Sequence, residues 1–268
     1  MRAATFEAKG DGLVPWAEHG SLKAASTALP HGAYTTFRSY AGRKLLRLDQ
    51  HTRRLEESAT LEGEPGHLDA GRVRAAVARA LDATHHPESR FRLTFAPPRL
   101  FVSVEPFVPL PSRLYQEGAR CVTVPVRRQN PHAKDTRFIA TASAAYESLP
   151  AGVEEGLMLD EEEAVLEGLS SNFFAVREGR LFTEEQRVLL GVTRALVLEV
   201  AASVLPIERH PVRLDAAVAE CFITSVSREV LPVVEIDGRP LGDGRPGPVT
   251  REIALRFAAL VEQEAELL

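Results

Sequence analysis

The sequence predicts an α+β fold in two domains, and three observations lead to that class. Apolar residues recur every fourth position after Asp69, which indicates a helix, and two β-branched and aromatic runs within residues 91–104 indicate strands. The proline-rich, polar residues 106–118 form the best candidate for a linker. Beyond them, residues 119–126 alternate apolar and polar side chains, as a half-buried strand does. We therefore expect a small N-terminal domain over residues 1–112, a linker over 113–118 and a larger C-terminal domain over 119–268.

The composition limits the possible partners. With 268 residues, of which 44% are hydrophobic, the chain can bury a sizeable core, and soluble, globular behaviour is expected. The net charge is -5 and no dense Lys/Arg block is present, which argues against a nucleic-acid partner. Cys121 and Cys221 lack the spacing of a metal site or a disulfide framework. Neither a signal-peptide run nor a membrane-length apolar run is present, so we expect a cytoplasmic protein without membrane contact.

The most informative stretch is residues 165–175, Val-Leu-Glu-Gly-Leu-Ser-Ser-Asn-Phe-Phe-Ala, in which polar groups interrupt a strand pattern. Burying Glu167 is costly unless a cation or a hydrogen-bond donor accompanies it. A glycine inside a strand pattern, here Gly168, indicates a bulge or a close approach of the backbone to a ligand. On this stretch alone, a functional site and a plain polar turn between two strands are equally good interpretations.

Only four side-chain amines are available in the chain, those of Lys9, Lys23, Lys44 and Lys134. Lys134 differs from the others because a helical pattern of small residues, which extends to Tyr146, accompanies it. A lysine at the start of a helix opposes the helix dipole, so a purely structural role explains Lys134 less well than usual.

Two further segments have the residue types that bind anions. In residues 49–55, Asp-Gln-His-Thr-Arg-Arg-Leu, Asp49 is expected to cap a helix, and Arg54 presents a planar fork of donors that suits two phosphate oxygens. An arginine on a helix is usually a solvated charge, so the case for Arg54 depends on its neighbours. The second segment, Gly-Val-Thr-Arg at 191–194, opens a predicted helix whose first N–H groups form an anion site.

Together, these segments resemble the fold-type IV enzymes that use pyridoxal 5′-phosphate (PLP), namely branched-chain aminotransferases, D-amino acid aminotransferases and aminodeoxychorismate lyases. The resemblance rests on the Glu-Gly-Leu-Ser-Ser-Asn-Phe-Phe stretch, the upstream lysine, the His-x-x-Arg-Leu segment and the Gly-Val-Thr-Arg helix start, and it covers about residues 31–262. It implies a small N-terminal α/β domain, a larger and β-rich C-terminal α/β domain, a cofactor between them, and a homodimer.

The resemblance also implies roles for individual residues. Lys134 and Glu167 are the expected catalytic residues, because Lys134 would bind the cofactor aldehyde and Glu167 would keep its pyridine nitrogen protonated. The other cofactor-binding residues that it implies are Arg54, Ser171, Asn172, Gly191, Val192, Thr193, Ser225 and Val226. The substrate-binding residues that it implies are Tyr34, Arg92 and Ser227. No metal is expected.

The reaction implied is transamination between an amino acid, branched-chain or similar, and a 2-oxo acid such as 2-oxoglutarate. Arg92 stands where branched-chain enzymes keep an arginine for acidic side chains, which favours glutamate and 2-oxoglutarate as one substrate pair. Three departures from the family pattern are visible. The loop at residues 96–99 is too short to hold the Arg-x-His carboxylate trap of the D-amino acid enzymes. Phe138 stands near the position where branched-chain enzymes have a tyrosine. Val226 stands at a position where the family usually has a threonine.

Two alternatives stay open at this point. A lyase of the aminodeoxychorismate type needs the same Lys134 and Glu167 and differs mainly in the shape of its pocket. A protein that holds the cofactor, or binds a partner, without turnover is disfavoured by the intact lysine. The response of the bound cofactor to amino acids would separate these possibilities.

Overall fold

The computed structural model describes residues 2–10, 12–215 and 217–268. The helices of this part of the chain are α1 (Leu22–Ala28), α2 (Leu48–Leu61), α3 (Ala70–Thr84), α4 (Ser112–Glu117), α5 (Arg137–Glu147), α6 (Val192–Ala201) and α7 (Pro248–Glu264). None of the helices in these three ranges combines the length and the apolar character needed to cross a bilayer.

The strands of the first half of the chain are β1 (Ala3–Lys9), β2 (Gly12–His19), β3 (Ala33–Tyr40), β4 (Lys44–Leu45), β5 (Ser89–Ala96), β6 (Arg99–Pro106) and β7 (Ala119–Val124). Those of the second half are β8 (Glu155–Leu159), β9 (Ala164–Gly168), β10 (Asn172–Arg177), β11 (Arg180–Phe182), β12 (Ile207–Glu208), β13 (Val212–Arg213), β14 (Val218–Ser225), β15 (Glu229–Ile236), β16 (Arg239–Pro240) and β17 (Glu266–Leu267).

The chain divides into two compact units. Unit 1 combines the described residues of Met1–Val108, His132–Ala140 and Gln263–Leu268, and unit 2 combines those of Pro109–Pro131 and Thr141–Glu262. Helices and strands occur in both units, as the α+β prediction requires.

An antiparallel seven-stranded sheet forms the centre of unit 1, in the order β17-β4-β3-β5-β6-β1-β2. Along β5 the apolar side chains of Phe91, Leu93 and Phe95 recur at every second position and are buried. They share one apolar core with Leu55 of α2 and Val77 of α3, whose helical spacing places them on the buried face of each helix. The strands predicted within residues 91–104 are therefore confirmed as β5 and β6.

The two long helices of unit 1 begin in different ways. The helix predicted after Asp69 is confirmed as α3. Asp69 is its N-cap, and its carboxylate accepts a hydrogen bond from the Arg72 N–H at 2.7 Å. The predicted cap at Asp49 is wrong. Helix α2 begins at Leu48, after Arg47 in a left-handed conformation, so Asp49 lies in the first turn, where its charge still favours the helix dipole.

A ten-stranded sheet forms the centre of unit 2, along the path β12-β11-β10-β14-β15-β7-β8-β9-β13 with β16 beside β15. A further pairing joins β9 to β10, so that six of these strands close into a barrel. The closing pair is Glu167 opposite Asn172. Phe173 and Ile223 contribute to the apolar core of this unit. The closure of the barrel therefore falls within the stretch 165–175.

The boundaries of the units differ from the predicted domain boundaries in two places. The segment that carries Lys134 clusters with unit 1, although the sequence places it in the C-terminal domain. The cause is backbone pairing, because the Tyr34 N–H donates to the Lys134 carbonyl at 2.7 Å and the Thr136 N–H donates to the Gly32 carbonyl at 3.0 Å. The predicted linker over 113–118 is largely helix α4, and the chain passes between the units at Val108 and Pro109.

Candidate active site

Lys134 is fixed through both its backbone and its amine. Helix α5 begins at Arg137, so Lys134 precedes the helix rather than opening it. The Lys134 N–H donates to Ser58 Oγ at 3.1 Å, and its carbonyl accepts from the Tyr34 N–H at 2.7 Å. Its Nζ lies 4.8 Å from the centroid of the Tyr34 ring, within the range of a cation–π contact. Tyr34 therefore holds both ends of this lysine.

Arg54 lies on α2 with its guanidinium against strand β3. Its Nη2 donates to Thr35 Oγ1 at 2.7 Å. Its Nε is shielded from solvent, and no hydrogen-bond partner for that atom is found among the described residues. Burial lowers the pKa of Arg54 to about 10, an effect that Tyr34 and Glu57 oppose, so the group is still a cation at neutral pH. A buried cation with an unused donor is suited to an anionic ligand.

Arg92 is brought next to Tyr34 as well. The carbon at the centre of its guanidinium lies 4.8 Å from the centroid of the Tyr34 ring. Its Nη1 donates to Ser26 Oγ at 2.6 Å and to the Leu22 carbonyl at 3.2 Å. Burial lowers the pKa of Arg92. Within unit 1, the structure thus places Arg92 and Lys134 against the ring of Tyr34, one of the other predicted substrate-binding residues.

In unit 2, Glu167 is buried and its carboxylate is held at both oxygens. Arg128 Nε donates to Oε1 at 3.1 Å, and the side chains of this ion pair are 7% and 3% exposed. The Leu189 N–H and Asn172 Nδ2 donate to Oε2 at 3.1 and 3.3 Å. The sequence required a partner for Glu167, and the structure supplies a cation and two neutral donors.

The turn between β9 and β10 packs against a second buried carboxylate. A Cβ on Gly168 would lie 2.3 Å from Ser171 Oγ, so the close approach inferred from this glycine is to the protein itself. Ser171 Oγ donates to Glu155 Oε2 at 2.9 Å. The same carboxylate accepts from the Tyr146 hydroxyl and lies 3.4 Å from Arg228 Nη1. Burial raises the pKa of Tyr146. Ser171 is therefore anchored by a charged network.

Gly191 is the N-cap of α6, and no side chain of the described residues caps this helix start. A Cβ at Gly191 would lie 2.4 Å from Asn172 Oδ1. Asn172 in turn donates to the Leu189 carbonyl at 2.7 Å. Val192 and Thr193 follow as buried residues of the first turn. The uncapped N–H groups of that turn are suited to an anion. Asn172 packs against Gly191 and donates to Glu167, so it joins the start of this helix to the carboxylate.

The predicted residues at the end of β14 lie in a hairpin turn. Ser225 ends the strand, and Val226 and Ser227 belong to the turn that leads to β15. The Arg228 N–H donates to Ser225 Oγ at 3.3 Å, so the hydroxyl oxygen of Ser225 accepts one bond from the protein. The roles of these three residues towards a ligand stay predictions.

The groups of each unit fit the cofactor that the sequence implies. Unit 1 supplies the amine of Lys134, to which an aldehyde can attach. It also supplies the buried cation of Arg54, whose Nε has no partner in the described part of the chain. Unit 2 supplies a buried, oriented carboxylate in Glu167 and an uncapped helix start at Gly191. An aldehyde, a ring nitrogen and a phosphate are the three functional groups of PLP that such residues would bind.

Comparison with known proteins identifies the family. A family model described as Amino-transferase class IV matches residues 32–236, which is most of the chain. The chain belongs to the class IV aminotransferases. Enzymes of this family use PLP. The structure of a branched-chain aminotransferase from Thermoproteus uzoniensis with norvaline is 26% identical, with a TM-score of 0.79 over 99% of this chain and 97% of that one. The predicted fold type is thereby confirmed.

Curated class IV aminotransferases match over shorter regions. The branched-chain-amino-acid aminotransferase of Pseudomonas aeruginosa is 33% identical over 161 residues, which cover 56% of this chain and 52% of that protein. The D-alanine aminotransferase of Staphylococcus aureus strain N315 is 32% identical over 108 residues, or 38% of each protein. The matches therefore span about half, or less, of the length of these relatives.

Three residues that contact the predicted site residues were missed from the sequence. Arg128 and Thr35 contact Glu167 and Arg54, and nothing in their sequence surroundings distinguishes them from ordinary surface and strand residues. Glu155 did have a signal. It opens the apolar run Glu-Gly-Leu-Met-Leu, and the argument from the cost of burial that singled out Glu167 applies to it as well.

Proposed function

We propose that this chain is a PLP-dependent aminotransferase that moves an amino group between an amino acid, branched-chain or similar, and a 2-oxo acid such as 2-oxoglutarate. Membership of the class IV family supports the reaction class. The observation that carries the proposal is the fixation of Lys134, whose backbone is bonded to Tyr34 and Ser58 and whose amine lies over the Tyr34 ring. A surface lysine needs no such fixation, whereas a lysine that must meet an aldehyde does.

PLP, when bound, supplies an aldehyde that combines with amino groups and a ring that withdraws electrons from the neighbouring carbon. Lys134 would hold that aldehyde in the resting enzyme, and its freed Nζ would then move the proton from the substrate Cα to the former aldehyde carbon of the cofactor. Glu167 would face the ring nitrogen, with its orientation set by Arg128, Asn172 and the Leu189 N–H. Arg54 and the N–H groups after Gly191 would bind the phosphate, and the predicted Ser171, Ser225 and Val226 would complete the cofactor contacts.

The proposed substrates follow from unit 1. Tyr34 offers an aromatic face, which suits an apolar amino acid side chain, and Arg92 offers a cation beside it for the side-chain carboxylate of glutamate or 2-oxoglutarate. Ser227 is proposed as a further substrate contact. The names of the curated relatives support amino acids as donors but include both a branched-chain and a D-alanine enzyme. No contact in either unit favours the lyase alternative.

Two expectations about the whole protein also belong to the proposal. A cytoplasmic location is supported by the family assignment, and a homodimer is supported by the resemblance to fold-type IV enzymes.

Mapping of the attachment lysine tests the proposal. The full chain is loaded with PLP, reduced with borohydride and digested, and the peptides are identified by mass spectrometry. We expect one modified peptide, with the adduct on Lys134, and we expect none from Lys134→Ala. Lys23→Ala removes an exposed lysine of α1 and should leave the adduct in place. An adduct on another lysine would overturn the assignment of Lys134, and absence of any adduct would overturn PLP as the cofactor.

A further inference from the structure

Behind Arg54 lie two hydrogen-bonding groups, those of Thr35 and His51, that the proposed function does not use. Arg54 Nη2 lies 2.7 Å from Thr35 Oγ1, and Thr35 Oγ1 lies 2.8 Å from His51 Nδ1. Thr35 is fully buried and His51 is 2% exposed, so both groups are sealed from water. Thr35 comes from β3, whereas Arg54 and His51 lie one helical turn apart on α2.

The direction of these hydrogen bonds follows from the chemistry of the groups. A guanidinium can only donate, so the Thr35 oxygen accepts from Arg54. The hydroxyl then has one proton of its own to give, and His51 Nδ1 is the acceptor within reach. His51 therefore carries its proton on Nε2. Burial, together with the positive charges of Arg54 and Lys134, holds the pKa of His51 well below the usual 6.5, which agrees with a neutral ring at neutral pH.

The bond to Thr35 leaves donors of Arg54 available. It uses one of the two N–H groups of Nη2, whereas Nε is buried and has no partner among the described residues. An arginine binds a phosphate best through a fixed edge of two parallel N–H groups, and a side chain with four rotatable bonds does not hold such an edge unaided.

We propose that Thr35 and His51 are positioning residues that orient the guanidinium of Arg54 for the phosphate group of PLP, an inference that rests on the proposed function. His51 accepts the Thr35 proton, and this keeps the Thr35 oxygen directed at Arg54. Thr35 and His51 thereby strengthen binding of the phosphate group and do not affect binding of the aldehyde or the ring.

The test compares PLP with pyridoxal, which has the same ring and aldehyde but no phosphate. Dissociation constants of both are measured by calorimetry with the cofactor-free full chain. Thr35→Val removes the hydroxyl at nearly constant volume and should weaken PLP binding roughly tenfold, the size expected for one hydrogen bond to a charged group. Pyridoxal binding should not change. Inorganic phosphate should compete with PLP less well in this variant than in the parent chain.

Conservative variants and a matched control separate positioning from folding. Thr35→Ser keeps the hydroxyl and should restore the preference for PLP over pyridoxal. His51→Phe removes the acceptor and should reproduce Thr35→Val, whereas His51→Asn places an oxygen near the Nδ1 position and should restore the preference. Thr52→Val is the control, because Thr52 is also buried on α2 but donates to the Leu48 carbonyl and not to this chain of groups.

Each outcome decides a separate question. If the parent chain binds neither PLP nor pyridoxal, the proposed function fails. If the parent chain prefers PLP and Thr35→Val keeps that preference, the positioning role is wrong. It is equally wrong if Thr35→Val weakens PLP and pyridoxal by the same factor, because the substitution has then only disturbed the fold.

Discussion

At the scale of single residues, the buried carboxylate of Glu167 illustrates how the protein fixes a charged group. Arg128 supplies the opposite charge, and Asn172 and the Leu189 N–H supply neutral donors to the second oxygen. An ion pair this deeply buried adds little net stability, because both charges have left water. Its value lies in orientation. The carboxylate is held in one position by groups from a loop, a strand and the entry to a helix.

His51 gives a pH dependence whose sign can be worked out. In the folded chain its pKa is lowered by burial and by the charges of Arg54 and Lys134, whereas the unfolded chain takes up a proton near the usual 6.5. Below that pH the unfolded state binds a proton that the folded state does not. The free energy of unfolding should therefore fall with decreasing pH, by up to about 1.4 kcal/mol per pH unit from this group.

Urea unfolding between neutral pH and about pH 5 checks this, with His51→Asn as the comparison, because the variant lacks the titrating ring. The parent chain should lose stability more steeply than the variant over that interval. Parallel pH profiles would mean that His51 is protonated in the folded chain as well.

The sequence predicts the identity of these residues better than their partners. The composition of residues 165–175 shows that Glu167 needs a cation or a hydrogen-bond donor. Arg128, however, lies 39 residues away, in the loop after β7, and the sheet that places β7 two strands from β9 brings the two side chains together. Thr35 and His51 are separated by 16 residues and by a change from strand to helix. Contacts of this kind depend on the packing of whole elements, which a local pattern does not contain.

At the scale of secondary structure elements, the start of helix α6 leads to a prediction about Gly191. A Cβ there would lie 2.4 Å from Asn172 Oδ1, so Gly191→Ala must displace the side chain that joins Glu167 to the Leu189 carbonyl. We expect a loss of about 1–3 kcal/mol in the free energy of unfolding, the usual cost of overpacking, measured by urea denaturation.

Gly20→Ala serves as the control for Gly191→Ala, because nothing lies within 4 Å of a Cβ at Gly20. If the two variants were equally stable, the contact between Gly191 and Asn172 would not constrain the start of α6.

The elements that the sequence predicts are those with a clear apolar pattern. Helix α3 has an apolar stripe, β5 and β6 are rich in apolar, β-branched and aromatic residues, and all three are found where expected. Residues 1–30 gave no prediction, although they form β1, β2 and α1. The buried positions of β1 are Ala3, Thr5 and Glu7, which are small or polar, and β2 is exposed along most of its length. Neither strand has the alternation of apolar and polar side chains that reveals a strand.

At the scale of the whole molecule, the predicted fold type is confirmed and the division of the chain is more complex than the sequence indicates. Composition places one boundary near the proline-rich stretch, and the chain does change units there. It returns, however, because residues 132–140 pair with Gly32 and Tyr34 of unit 1 through the Thr136 and Tyr34 N–H groups. The proposed attachment lysine thus belongs to the first unit although it follows the linker in sequence.

The measurement that tests the central claim most directly is the stoichiometry of amino-group transfer by the PLP-loaded chain. L- and D-amino acids, branched-chain ones among them, are incubated with 2-oxoglutarate, and the 2-oxo acid, glutamate and ammonia formed are quantified. We predict one glutamate for each 2-oxo acid, no ammonia, no continuing turnover without 2-oxoglutarate, and no transfer by Lys134→Ala. Turnover that continues without an acceptor would identify a lyase, and bound PLP that no amino acid converts would contradict an aminotransferase.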